Sequence, residues 1–278
     1  MDYIFKSHIA NAIFQLFSAD KEFKTPESKQ VYSIIWNRGN DANIVVDGII
    51  HKLSTHNILT LTPSQNFKTD QGNSDLLIFQ FNENFYCVGE HDKEISCIGF
   101  IFYGTSDNIV ITLSETEQHT FNLLLEMFVE EFQNQDNIQG EMLTILLKRL
   151  IIKCTRLAKL QQYGDQIEEG QYELIRQFNI AVEIHFREQH NVSFYAELLH
   201  KSPKTLANLF AKASPQSPIQ LIHSRIITEA RRQILFSGKS IKEIAFELHF
   251  PDIQSFSRFF KLKVGQAPND FKKGKTNK

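Results

Sequence analysis

The chain has 278 residues, with 30 Lys+Arg against 32 Asp+Glu and a net charge of −2. That length suits two domains, each with its own core. No run approaches the ~20 apolar residues of a membrane helix, and the start, MDYIFKSHIANAIFQLF, lacks the basic segment and long apolar block of a secretory signal. Cys87, Cys97 and Cys154 lie far apart without metal-ligand spacing and read as buried thiols of a reducing cytoplasm; a redox pair of Cys87 and Cys97 is the lesser reading.

In chain order, the first predicted elements are short strands between about residues 29 and 112. QVYSIIW, ANIVVDGIIHKL, NILTLTP, SDLLIFQF, ISCIGFIFYG and NIVITL are rich in Ile, Val, Phe and Tyr. Breakers such as RGND and TDQGNSD separate them. The pattern predicts a β-sandwich or barrel. Phe79, Phe81, Phe100 and Phe102 fall on these strands, a subset facing inward as core or as the wall of a small-ligand pocket.

Two helices follow. Residues 115–134 carry Phe121, Leu124, Leu125, Phe128, Val129 and Phe132; residues 138–162 carry Met142, Ile145, Leu146, Leu150, Ile151, Ala158 and Leu160. Three- and four-residue spacings mark both as amphipathic. QNQDNIQ, residues 133–139, turns between them, giving an antiparallel hairpin. Leu123, Leu147 and Leu150 are candidates to cover a second chain. The polar stretch 161–170, QQYGDQIEEG, is the expected linker.

The last third holds one pattern twice, over residues 192–221 and 241–271. Ala196 aligns with Ala245 and Leu199 with Leu248. One extra residue in the second turn then brings Leu206 onto Phe256, Leu209–Phe210 onto Phe259–Phe260, and Pro218 onto Pro268. Each copy predicts a short helix, a tight turn and a longer helix, the layout of a helix-turn-helix whose second helix enters the major groove. Ser202 is a suitable N-cap with Pro203 at the first helical position. Ser240 and Glu243 have capping-box spacing, and Asp252 can cap the second long helix, with Ser255 three residues on. Phe256, Phe259 and Phe260 form the expected buried face. Lys204, Ala207, Asn208 and Lys212 face outward in the first copy; Gln254, Ser257, Arg258 and Lys261 do so in the second.

The second copy, IKEIAFELHFPDIQSFSRFFKLKVGQAPNDF, resembles the signature of AraC-type bacterial transcription regulators. The matching residues are Ser240, Ile241, Glu243, Ile244, Ala245, Leu248, Phe250, Asp252, Phe256, Ser257, Arg258, Phe260, Lys261, Gly265, Pro268 and Phe271. The resemblance covers about residues 171–275. His249 replaces the usual Gly, so the turn must accept a left-handed residue with a side chain. Gln254 and Ser255 also depart from the commoner residues, so the DNA sequence read by relatives does not transfer.

The resemblance implies a cupin-like jelly roll ahead of this domain, with NIVVDGIIHKLSTHNILTLTPSQNF similar to its central hairpin, and pairing of chains through the helical hairpin. It places Lys204, Ala207 and Asn208, and Gln254, Ser257 and Arg258, at base-reading positions. Side-chain chemistry agrees in part: Arg258 suits guanine O6/N7, Gln254 suits adenine, and the Ala207 methyl suits a thymine methyl. Lys212, Lys261 and the helix starts at Ser202, Thr205 and Ser255 suit phosphate. A salt bridge from Arg258 to Asp252 or Glu247 is the competing reading. The helix from Pro218 to about Phe236, with Arg225, Arg231 and Arg232, joins the two units at a spacing of ~34 Å along the duplex.

Charge distribution agrees. Residues 171–278 hold 17 Lys+Arg against 9 Asp+Glu, whereas residues 1–170 hold 13 against 23. A basic C-terminal third is the electrostatic footprint of phosphate contact; the tail lysines 272, 273, 275 and 278 add only non-specific attraction. Enzyme chemistry has little support. His51 and His56 form no H-x-H pair, Asn66 stands where metal-binding cupins supply a His, and no nucleophile with a base partner or phosphate-cradling loop is present.

The expectation is an α+β multidomain protein. Residues 1–160 form a cupin-like β-sandwich with a helical hairpin (strands about 29–112, hairpin about 115–160), 161–170 a linker, and 171–275 an all-α domain with two helix-turn-helix units. It is a cytoplasmic, homodimeric, sequence-specific transcription regulator, an activator by resemblance. It is not an enzyme and needs no cofactor or membrane. Double-stranded DNA is its partner, with RNA polymerase and an unidentified small-molecule effector as further candidates. The alternatives are an architectural DNA-binding protein and, behind it, a cupin enzyme fused to a DNA-binding module.

Overall fold

The computed structural model describes residues 2–7, 11–19, 31–63, 65–69, 75–87, 100–103, 108–163, 169–213 and 216–273. The chain divides into two compact units, Met1–Gln166 and Ile167–Lys278.

The strands of the first unit are β1 (Asp2–Ser7), β2 (Ala12–Ser18), β3 (Tyr32–Asn37), β4 (Ala42–Val46), β5 (Ile49–Leu53), β6 (Asn57–Leu61), β7 (Phe67–Thr69), β8 (Leu76–Phe81) and β9 (Val110–Thr112). One antiparallel sheet has the order β1-β2-β8-β3-β6-β9, a second the order β5-β4-β7. The helices are α1 (Phe100–Tyr103), α2 (Glu115–Gln133) and α3 (Gln139–Tyr163).

The layering follows from the composition of β3 and β8, which are buried at every position. On one side Ile35, Leu59, Leu61, Leu76 and Ile78 of the large sheet share a core with Ala42, Ile44, Val46, Leu53 and Phe67 of the small one. Alternate residues turn the other way. Phe14 and Phe79 pack on Phe128 of α2 with ring centroids 5.5 and 5.4 Å apart, and Trp36 packs on Phe121 at 5.9 Å. Each such buried aromatic contributes about 1.5–3 kcal/mol of transfer free energy. A polar row crosses the large sheet among these apolar residues: Gln15 bonds Gln80, and the Gln80 amide donates to Ser33 Oγ at 3.0 Å. Paired in this way, the buried amides escape the cost of unsatisfied polar groups.

Several expectations are corrected. β1 and β2 precede the expected strand region and pair with each other, and β2 also pairs with β8. The run 42–53 is two strands, turned at Asp47 (φ 47°) and Gly48 (φ 83°); two positive φ values are the type I′ requirement, which Asp-Gly meets. The run 95–104 was expected as a strand. Its described part is the helix α1, so Phe102 is a helical core residue against Tyr32 and Phe81. Cys97 lies outside the described residues. Of the expected linker, residues 161–163 belong to α3 and 169–170 to the next helix, while 164–168 lie outside the described residues.

α2 begins with a capping box: the Ser114 N–H donates to Glu117 Oε2 at 2.6 Å and the Glu117 N–H to Ser114 Oγ at 3.4 Å. α3 starts beneath Phe5 of β1. A Cβ on Gly140 would stand 2.8 Å from the Phe5 ring, so glycine permits this approach. The buried face of α3 includes Leu147, Leu150 and Cys154, whose thiol is pushed up to about 12 by burial. Leu147 and Leu150 are therefore core, contrary to the expectation that they cover a second chain. Leu123, Met127, Ile138, Met142, Ile145 and Leu160 are large apolar residues that the hairpin leaves exposed.

Candidate nucleic-acid interface

The second unit contains α4 (Glu169–His185), α5 (Val192–Leu198), α6 (Pro203–Ala213), α7 (Pro218–Phe236), α8 (Ile241–Glu247), α9 (Ile253–Val264) and α10 (Pro268–Lys273). α5–α6 and α8–α9 are two helix-turn-helix units with the same local construction. In the first turn the His200 N–H donates to the Glu197 carbonyl at 3.0 Å and the Lys201 N–H to the Ala196 carbonyl at 2.8 Å. In the second, His249 donates to Phe246 and Phe250 to Ala245, both at 3.0 Å. This doubled bonding is the Schellman ending, which needs a left-handed residue at its centre. His200 (φ 53°) and His249 (φ 51°) occupy that centre. Sequence reasoning found the need at His249 and missed it at His200, although the alignment places the two together.

The long helices start where the caps predict. The Thr205 N–H donates to Ser202 Oγ at 3.0 Å. The Ser255 N–H donates to Asp252 Oδ1 at 2.6 Å, and the hydrogen bonds from Ser255 hold that carboxyl below its usual range. Leu206, Leu209 and Phe210 are buried in α6, and Phe256 and Phe260 in α9. Phe259 is only half-buried, because its ring lies at the edge of the core against His223 and Phe250.

The opposite faces carry the expected reading residues. Lys204, Asn208 and Lys212 are exposed on successive turns of α6, with Ala207, Ser202 and Thr205 beside them. Gln254 and Arg258 are exposed at the matching positions of α9, with Lys261 alongside; Ser255 and Ser257 are half-buried. The third position of the α9 row, opposite Lys212, is Leu262, 79% exposed. Sequence reasoning missed it, although its spacing of four from Arg258 would have located it. Lys204, Lys212, Arg258 and Lys261 form no ion pair among the described residues. Arg258 forms no ion pair with either carboxylate of the competing reading: Glu247 is taken by Lys239 Nζ, 2.6 Å from both oxygens, and Asp252 caps α9 while the Arg258 charge helps to lower its carboxyl. A groove of about 510 Å³ runs beside α6, where Gln177 of α4 and Lys201 lie near Thr205, Asn208 and Lys212.

The arginines of α7 serve the interior instead. Arg225 Nε donates to Glu183 at 2.6 Å, and its guanidinium lies 3.9 Å from the Phe186 ring centroid. Glu229, itself buried, accepts from Arg232 Nε and Nη2 at 3.0 and 2.7 Å, from Gln233 at 3.0 Å and from Arg187 at 3.3 Å. Burial pushes the Glu229 carboxyl up, but the bonds from Arg232 and Gln233 and the charges of Arg225 and Arg232 outweigh it and hold it at about 2. Arg231 lies 5.9 Å from the Phe271 ring. A buried ion cluster thus ties α7 to α4.

A family model for the helix-turn-helix domain matches residues 195–274, spanning both units and α7. The C-terminal domain belongs to the AraC-type helix-turn-helix family. An AraC-type domain of this kind is a DNA-binding module. No curated protein matches the chain. Among solved structures, ToxT from Vibrio cholerae is 12% identical, covering 94% of this chain and 97% of its own with a TM-score of 0.43. The AraC-like transcriptional activator CuxR is 10% identical over 81% of this chain and 79% of its own, TM-score 0.35. The xylose-binding transcription activator XylR is 18% identical over 49% and 38%, TM-score 0.33. Among the described residues no group of three or more His, Cys, Asp or Glu is placed to hold a metal, and no helix is long and apolar enough to cross a membrane.

Proposed function

We propose that the protein is a sequence-specific transcription regulator that binds duplex DNA as a homodimer and activates the genes beside its site. α6 and α9 enter two successive major-groove faces. Lys204, Ala207, Asn208, Gln254, Ser257 and Arg258 contact base edges; Ser202, Thr205, Lys212, Ser255 and Lys261 contact phosphates. The observation that carries this reading is the pair of outward rows, Lys204–Asn208–Lys212 and Gln254–Arg258–Leu262, at aligned positions of two capped helices joined by α7. The excess of basic residues in the same third of the chain supports it.

The two-sheet unit is the cupin-like regulatory domain of this proposal. The exposed α2–α3 residues pair two chains, and a small-molecule effector of unassigned class acts there. RNA polymerase is the partner through which activation works, and the cytoplasm is the compartment. Selection of genomic fragments by the full-length protein tests the reading. The expected result is one recurrent site with two half-sites about 10–10.5 base pairs apart. Uniform recovery of all sequences would replace it with the architectural reading.

A further inference from the structure

Three histidines from three elements converge where the two helix-turn-helix units join. His190 lies in the connection from α4 to α5, His223 on α7, and His249 in the turn between α8 and α9. The His190 ring lies 4.9 Å from Phe250 and the His223 ring 5.1 Å from Phe259, while Phe250 and Phe259 lie 5.2 Å apart. The seam is therefore a row of tilted and edge-on rings with a histidine at each end. His190 Nε2 lies 3.1 Å from the Arg187 carbonyl on its own side, and the ring also bonds the Leu248 backbone across the seam. We propose that this histidine seam is a pH-sensitive latch: neutral, it holds the two units in the placement a paired DNA site requires; protonated, it releases the second unit from the first.

The surroundings explain why protonation opposes the packing. His249 faces His190 from the second turn, and His190 and Lys263 of α9 face His223. Arg187, beside His190, directs its guanidinium to Glu229. Among the described residues no carboxylate bonds any of the three imidazoles. A charged seam would thus gather like charges in a half-buried, apolar place. Burial first, and then these cations, hold His190 and His223 below the ordinary histidine value; the two backbone bonds to His190 pull the other way and only reduce its shift. A base whose folded value is depressed binds its proton more readily once released. The seam's stability is therefore complete above about 6.5 and is lost as pH falls from there through the lowered values.

The latch deepens the DNA-binding reading, but its first test needs no DNA. Amide hydrogen exchange in α8 and α9 of the full chain is compared at about pH 7.5 and 5.5, each corrected for intrinsic exchange. Protection in wild type is expected to fall about tenfold at the lower pH. It should fall much less in the double variant His190→Gln, His223→Gln and by an intermediate amount in the single variant His190→Gln. Equal protection of wild type at both pH values, or the same loss in the variants, overturns the latch. The second test is affinity for the selected operator. Acid should weaken wild-type binding, against the gain that added positive charge brings to phosphate contact; tighter binding at low pH also overturns the latch. Should the chain bind no duplex at any pH, the DNA reading fails while the exchange measurement still decides the seam.

Discussion

Arg258 is exposed in the middle of α9 and in no ion pair among the described residues, with Glu247 held by Lys239 and Asp252 capping the helix start, where the Arg258 charge also reaches it. Its guanidinium keeps its full bidentate capacity for guanine. Arg258→Ala should cost about 1–3 kcal/mol on the selected operator and relax preference at one base pair, measured by titration on operator and random duplexes. An equal loss on random DNA would move Arg258 to the phosphate contacts. Lys212 differs: it is exposed at the end of α6, where the aligned residue of α9 is Leu262. Lys212→Ala should weaken binding to all sequences and lower the slope of log affinity against log salt by about one. The turn histidines permit a third test. His200 holds φ 53° outside the histidine seam, and glycine adopts that conformation without strain. His200→Gly should raise stability by about 1 kcal/mol in denaturant titration, a gain that would vanish if the histidine side chain carried a compensating contact.

At the level of elements, α7 holds the domain together through Glu229. Its folded value of about 2 lies below the ordinary 4.5, so its contribution is complete above about 4.5 and is lost as pH falls toward 2. With the side chain 1% exposed, that shift corresponds to roughly 3 kcal/mol. Glu229→Gln leaves Arg187 and Arg232 without a carboxylate, and Arg225 with Glu183 alone, and should cost about 3–5 kcal/mol near neutrality, read as a lowered midpoint in urea, with a flatter acid limb. An unchanged midpoint would mean that solvent satisfies the arginines. The cluster was illegible in the sequence, because Glu183, Arg187, Arg225 and Glu229 come together only when α4 packs on α7. The helix-turn-helix elements were legible for the opposite reason: Ser202, Ser240 and Asp252 act within one turn of chain, and Phe256 and Phe260 repeat at helical spacing. β3 and β8 announced strands but not their faces, since burial on both sides removes alternation. β2 escaped notice because its second partner, β8, lies some sixty residues on. The run ending in Phe100–Tyr103 was β-rich in composition, yet its described part is helical, with Phe102 packed on Tyr32 and Phe81; propensity is a weak guide where tertiary context can override it.

Over the whole molecule, two asymmetries act together. Basic residues gather in the last third and acidic residues in the rest, so attraction to phosphate belongs to the helix-turn-helix domain and the acidic first unit is repelled by it. The exposed apolar side chains of α2 and α3 belong to the acidic unit. Ile138, Met142 and Ile145 follow each other at spacings of four and three along one side, and Ile138 and Ile145 are 56% and 58% exposed. A row at that spacing is a seam for another helix. Pairing two chains there would double the reading helices offered to one operator, and the second chain would then bind at the high effective concentration that linkage supplies. Ile145→Glu tests this at the scale of the assembly, because it places a charge at the most exposed point of the row while leaving the buried Leu147 and Leu150 untouched. Sedimentation equilibrium should give a dimer for wild type and a monomer for the variant, with unchanged helix content by circular dichroism. Operator affinity should fall at least tenfold, while affinity for a single half-site stays the same. A wild-type monomer, or a variant that remains dimeric, would remove α2 and α3 from the interface and leave each chain to find its operator alone.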